Sequence, residues 1–126
     1  MSYRRPIASN WWMAKTNYRL FMFRELTAVF VWLYLIFYLV QLSQLGKDAG
    51  AYTTFLSHRA SFPWILFHVV ALVAAIYHSV TWFNLTPKVI VVRQGEEKIP
   101  DGLIAGPHYA GWLGLSLAII FIVLWS

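Results

Sequence analysis

The chain of 126 residues contains no cysteine and few charged residues. Without cysteine it cannot form disulfides, use a thiolate nucleophile or ligate an iron–sulfur cluster through sulfur, so any such cluster must belong to a partner. Charged residues make up 12% of the chain and hydrophobic residues 60%, a balance outside the range of ordinary soluble domains. Sequence repeats, a phosphate-binding glycine loop and the ligand spacing of a metal site are also missing. The apolar composition favours a protein of the lipid bilayer. The missing cysteines and ligand spacing favour one with no metal site of its own.

Three apolar segments are long enough to cross a bilayer. They occupy residues 26–45, 63–83 and 105–125, and about twenty residues give roughly 30 Å of helix. Apolar residues resume already at 20–23, so we expect spans over about 20–45, 63–84 and 105–125, with the first helix beginning near Asn17. The first run is too long, and too far from the start, for a cleaved signal peptide. The predicted fold is a single all-α membrane domain over residues 1–126 with three transmembrane helices.

A short interfacial helix is expected before the first span. Ser9 or Asn10 can cap a helix that begins at Trp11, because each offers a side-chain oxygen to unpaired backbone N–H groups. Trp11, Trp12 and Tyr18 suit the headgroup level, where an amphipathic ring keeps one edge in water.

Proline positions mark the connections between the spans, and small residues mark one face of the third span. Residues 46–61 are expected to form the external connection and residues 94–101 the internal one, with Pro63 in the first turn of the second span and Pro87 just past its end. In the third span, small residues recur every four positions and predict a face for close helix packing: Gly106, Ala110, Gly114 and Ala118.

The basic residues indicate the orientation of the chain in a bacterial cytoplasmic membrane. Eight of the ten lie in the N-terminal segment and the second connection, and two lie in the first connection, Lys47 and Arg59. The positive-inside rule therefore predicts a cytoplasmic N-terminus and an external C-terminus. This distribution explains the net charge of +5 better than a nucleic-acid partner does, so lipid is the expected surroundings.

A candidate site lies where the first span begins and the second ends. Antiparallel spans bring Arg24 and Glu25 to the same bilayer face as His78 and Trp82. His78 and Trp82 share a helical face, and Ala28 leaves space beside Glu25. Arg24 and Glu25 are expected to be more buried than charged residues normally are. An isolated carboxylate at this depth is costly, so Glu25 must be paired, hydrated or protonated.

These residue types suit a quinone. Aromatic rings can stack on it, the N–H groups of His78 and Trp82 can bind its oxygens, and Glu25 can accept a proton. Two other interpretations remain open at this point. Glu25 could simply pair with Arg24 in a purely structural subunit, or a haem could be bound by His78 and His108.

Three sequence segments resemble a known family: RPIASNWW, YRLFMFRELTAVFVW and AIYHSVTWFNLTPK. In order and spacing they resemble the C subunit, a membrane anchor of the four-subunit bacterial quinol:fumarate reductase, over nearly the whole chain. The resemblance implies a second three-helix anchor, an iron–sulfur subunit and a flavoprotein that holds FAD, with the two soluble proteins on the cytoplasmic face.

The resemblance also implies a chemistry. Menaquinol would be oxidised at a site that this chain shares with its partners, without haem, and the matching positions are Arg24, Glu25, Ala28, His78 and Trp82. Glu25 would be the catalytic proton acceptor. The chain alone would not be an enzyme. The same architecture also serves succinate:quinone reductases, and some relatives of that wider group hold haem b, so both remain alternatives.

Overall fold

The structure, a computed structural model, describes residues 6–125. Within that range the chain is almost wholly helical. The elements in order are a 3₁₀ turn (Trp11–Met13), α1 (Thr16–Leu45), α2 (Ala49–Arg59), α3 (Phe62–Val89), β1 (Arg93–Gln94), β2 (Glu97–Lys98) and α4 (Asp101–Trp125).

Three of the helices can span a membrane, which confirms the predicted fold class. By length and apolar composition, α1, α3 and α4 qualify, with 30, 28 and 25 residues. Each begins or ends a few residues beyond the predicted span. The chain is therefore a multi-pass membrane protein.

Two local predictions were wrong. Pro87 lies inside α3 rather than beyond its end, since a proline in the last turn removes only one backbone hydrogen bond. The short helix expected before the first span does begin at Trp11, as a single 3₁₀ turn, but the Asn10 side chain makes no capping hydrogen bond.

The first connection contains a helix that was not expected. Asp48 caps α2, because its Oδ1 accepts a hydrogen bond from the Ala51 N–H at 2.7 Å. His58 and Arg59 occupy the last turn, where positive charge suits the carbonyl end of a helix.

The chain divides into two compact units, Met1–His78 and Ser79–Ser126. In the first, the end of α1 and the start of α3 pack together through aromatic rings. Phe37 is 8% exposed, and its ring lies 5.0 Å from His68, 5.6 Å from Trp64 and 5.9 Å from Phe67 between centroids. Dense aromatic packing of this kind fixes the helices in one register.

The second unit contains the end of α3, the β1–β2 hairpin and α4. Phe83 packs edge-on against Tyr109 at 5.1 Å, and the Tyr109 hydroxyl donates to Asn84 Oδ1 at 3.1 Å. In the hairpin, Gly95 adopts a φ of 67°, which two-residue turns require and glycine tolerates.

The small-residue face of α4 makes no close contact within residues 6–125. No atom of another element lies within 4 Å of where a Cβ would stand at Gly106 or Gly114, and Ala110 and Ala118 are exposed. The packing role of this face stays a prediction.

Candidate functional site

A half-buried ion pair lies in the third turn of α1. The Arg24 side chain is 9% exposed, and its Nη2 and Nε donate to Glu25 Oε1 at 3.0 and 3.2 Å. The guanidinium also lies 4.7 Å from the centre of the Phe21 ring, a favourable cation–π distance. The charge of Arg24 is therefore stabilised from two directions.

Glu25 differs from the sequence expectation in its exposure. Its side chain is 45% exposed, so the buried member of the pair is Arg24 and not the acid. Both hydrogen bonds from Arg24 end on the same carboxylate oxygen, Oε1. A carboxylate that is both paired and accessible can exchange a proton with a ligand.

His78 reaches across from α3 to the same level of α1. Its Nδ1 lies 3.2 Å from Thr27 Oγ1 and 3.4 Å from the Arg24 carbonyl oxygen. The Thr27 hydroxyl itself donates to the Arg24 carbonyl. Thr27 is 4% exposed, so this small polar cluster lies in the packed region between the helices.

Contacts at two levels establish that α1 and α3 run antiparallel. Near the start of α1, Arg24 and Thr27 lie beside His78 of α3. Phe37, which follows Arg24 by thirteen residues, lies beside His68, which precedes His78 by ten residues. Arg24 and His78 therefore lie at the same level of the helix pair, as the candidate site requires.

Two other predicted residues lie on the same helices. Ala28 is half-buried on α1, next to Thr27. Trp82 belongs to the second unit, one helical turn beyond His78 along α3, and is 42% exposed.

The first unit contains two apolar grooves, of which one borders the polar cluster. One, with a volume of about 300 Å³, is lined by Thr27 together with Phe23, Phe30, Val73 and Tyr77, among others. The Phe23 and Tyr77 rings meet edge to face at 5.2 Å. A second groove of about 340 Å³ lies beside Tyr34 and His68. Both volumes are of the size that small ligands or lipid chains fill.

Metal chemistry has no ligand set in the part of the chain that the structure describes. Residues 6–125 bring together no group of three or more His, Asp or Glu side chains that could hold an ion.

The contacts of two residues were not predicted from the sequence. Thr27 is uncharged, and the one signal in the sequence is its position three residues after Arg24, from which a threonine hydroxyl in a helix can reach the Arg24 carbonyl oxygen. Arg59 was counted only as a loop charge, whereas its guanidinium lies 3.7 Å from the ring centre of Trp64 and 3.8 Å from that of Phe37. The cap at Asp48 could have predicted the helix that positions Arg59.

Comparison with known proteins gives a consistent result. A family model that describes the C subunit of fumarate reductase matches residues 1–124. The fumarate reductase C subunit of Mycobacterium tuberculosis is 31% identical over 123 residues, which cover 98% of each chain. The fumarate reductase C subunit of Vibrio cholerae is 30% identical over 121 residues, 96% of this chain and 95% of the relative.

Proposed function

The chain belongs to the family of fumarate reductase C subunits, and we propose that, as a membrane anchor of that enzyme complex, it helps to form the site at which menaquinol is oxidised. The observation that carries this proposal is the meeting of His78 with Thr27 and Arg24, beside the accessible carboxylate of Glu25.

The chemistry of a quinol fits these groups. Its two hydroxyls each lose a proton when the ring loses two electrons, so a site needs hydrogen-bond acceptors and a proton acceptor at the edge of an apolar region. The His78 imidazole and the Glu25 carboxylate supply the acceptors. The apolar groove next to Thr27 supplies surface of the kind that a hydrophobic ring or its isoprenoid tail prefers.

Each predicted site residue takes a role in this proposal. Glu25 is the catalytic group and receives a proton from the quinol, while Arg24 compensates its charge when it is ionised. Ala28 leaves space beside the acid, and Trp82 offers an indole for stacking or hydrogen bonding one turn from His78.

The electrons must leave through another polypeptide. The chain has no cysteine to ligate an iron–sulfur cluster, so a partner's redox centre receives them. We propose that an iron–sulfur subunit and a flavoprotein dock on the cytoplasmic face, and that a second three-helix anchor completes the quinol site. The excess of basic residues near the start of α1 and the end of α3 supports a cytoplasmic position for that face.

The deciding experiment replaces Glu25 by glutamine in the assembled complex. Quinol-linked fumarate reduction should fall by about 10²-fold, the usual contribution of a positioned acid or base, because glutamine cannot accept the proton. Fumarate reduction by a soluble reduced dye that bypasses the quinol site should be unchanged.

A matched control is Glu97→Gln, which removes one carboxylate from the exposed β2 strand. It should leave both activities intact. If Glu25→Gln leaves quinol-linked turnover unchanged, the role of Glu25 is wrong, and if it lowers both activities equally, the residue serves assembly instead.

A further inference from the structure

Two oxygen atoms near His78 Nδ1 indicate which ring nitrogen holds the proton. The Arg24 carbonyl oxygen, 3.4 Å away, can only accept a hydrogen bond. Thr27 Oγ1, 3.2 Å away, has already committed its hydrogen to that same carbonyl, so it also presents lone pairs to the ring. A hydrogen on Nδ1 satisfies both oxygens, whereas a lone pair on Nδ1 would face lone pairs on both.

The opposite arrangement is less favourable. For Nδ1 to act as an acceptor, the Thr27 hydroxyl would have to turn toward it and give up its short bond to the Arg24 carbonyl. That carbonyl would then face the lone pair of Nδ1 in a region where Thr27 is 4% exposed. An unmade hydrogen bond in such a place costs more than one at the surface.

We propose that Thr27 is a positioning residue that holds neutral His78 as the Nδ1–H tautomer, so that Nε2 is a hydrogen-bond acceptor and the site prefers quinol over quinone. This inference rests on the proposed quinol site. A neutral imidazole has one N–H and one acceptor nitrogen, and the group bound to one nitrogen decides the role of the other.

The preference follows from the chemistry of the two ligand forms. A quinol hydroxyl donates a hydrogen bond, which the Nε2 lone pair accepts. A quinone carbonyl only accepts, so it gains nothing from Nε2 until the tautomer changes or the ring becomes protonated. The Thr27 hydroxyl therefore biases the site toward binding the reduced ligand.

The fold gives Thr27 little freedom to do anything else. Its β-branched side chain has few rotamers in a helix, and the one adopted returns the hydroxyl to the carbonyl three residues earlier. The hydroxyl oxygen is thereby fixed at the height where His78 arrives from α3. Serine could make the same bonds, whereas valine has the same shape and no hydroxyl.

The test measures binding of each ligand form without turnover, in the whole assembled complex. A short-chain naphthoquinol is titrated into the chemically reduced complex, and the matching naphthoquinone into the oxidised complex. Thr27→Val should weaken quinol binding about fivefold, the usual worth of one hydrogen bond, and leave quinone binding within about twofold. Thr27→Ser should bind both ligands as the unaltered complex does.

Controls separate this role from folding and from the site itself. Thr53→Val removes a helical threonine hydroxyl that donates to Gly50 O at 3.0 Å in α2, and it should change neither affinity. If Thr27→Val does not assemble, Thr27→Ala removes the same hydroxyl with less bulk. Dye-linked fumarate reduction reports whether each variant complex is intact.

The outcomes are distinct. Equal weakening of both ligands by Thr27→Val, no weakening of either, or failure of Thr27→Ser to restore quinol affinity overturns the tautomer role. In that case a loss of affinity in His78→Leu still supports the proposed quinol site. If His78→Leu changes neither affinity, the quinol site and the role of Thr27 both fall.

Discussion

Two guanidinium groups at different levels of the first unit are stabilised by opposite means. Arg24 lies near the start of α1 and pairs with a carboxylate beside a threonine and a histidine. Arg59 ends α2 and lies over three rings, 3.8 Å from the centre of Phe37, 4.3 Å from Phe55 and 3.7 Å from Trp64. Aromatic faces stabilise a cation without offering any group that can exchange a proton.

The surroundings of Arg59 fit a structural role. Its Nη1 is buried and has no hydrogen-bond partner in the described part of the chain. Desolvation lowers the pKa of Arg59 from its usual value, which is so high that the group stays protonated at any physiological pH. The comparison teaches that the neighbours of a charge in a membrane protein decide its role: the Arg24 guanidinium contacts a carboxylate, whereas the Arg59 guanidinium lies over aromatic rings.

The largest difference between the two levels is expected from Arg24→Met. This change removes the partner of Glu25 and leaves an apolar side chain of similar length in a buried position. We expect quinol-linked fumarate reduction to fall at least about tenfold, because the Glu25 carboxylate loses the two charge-assisted hydrogen bonds that hold it in position. Steady-state assays with quinol and with dye would measure it.

The proposed difference between Arg24 and Arg59 would be contradicted if Arg24 were needed only for assembly of the complex. Dye-linked turnover and the amount of intact complex should stay near normal in Arg24→Met. A parallel decline in dye-linked turnover would mean that Arg24 holds the complex together and has no special bearing on the quinol.

A smaller and purely structural effect is expected from Arg59→Ala. The substitution removes the cation–π contacts and the packing of the side-chain stem, and we expect a loss of roughly 2 kcal/mol in stability. The measurement is the thermal midpoint of the detergent-solubilised complex. Quinol turnover per intact complex should not change, and a selective loss of quinol turnover would contradict the division between the two levels.

Arg59→Lys sharpens the same point with the charge retained. An ammonium is compact and strongly hydrated, and it cannot lie flat between rings as a guanidinium does. We expect about half of the destabilisation of Arg59→Ala, again seen in the thermal midpoint. Stability equal to that of the unaltered complex would show that charge alone, and not the planar group, is what the rings require.

The smallest effect concerns the helix that delivers Arg59 to the rings. Asp48→Ala removes the cap of α2 and should cost about 1 kcal/mol, because the Ala51 N–H loses its acceptor. Asp48→Asn keeps a side-chain oxygen and should be nearly neutral. The thermal midpoint distinguishes them, and equal midpoints for the two variants would mean that α2 does not depend on this cap.

The spans and the shared level of Arg24, Glu25 and His78 followed from the sequence for simple reasons. Long apolar runs must become helices in a bilayer, since no other open structure satisfies the backbone there. Two consecutive spans must then run antiparallel, which brings the start of one beside the end of the next.

The rotation of each helix about its axis could not be predicted. A membrane helix is apolar on nearly every side, so periodicity does not identify the face that meets its neighbour. This is why Glu25 was expected to be more buried than it is, and why Thr27 was not expected to meet His78. Arg59 escaped notice for a related reason, since its ring contacts come from three separate helices.

The sequence by itself determined the membrane location, the number of spans, the absence of cysteine ligands and the family to which the chain belongs. Only the tertiary structure decided which oxygen atoms face His78 Nδ1 and which rings surround Arg59. Composition and the length of the apolar runs control the transfer of whole helices into lipid. A hydrogen bond or a ring contact instead requires side-chain atoms to be placed to within about 1 Å, which depends on how each helix is rotated about its axis. That rotation is set by the packing of side chains that are distant in sequence.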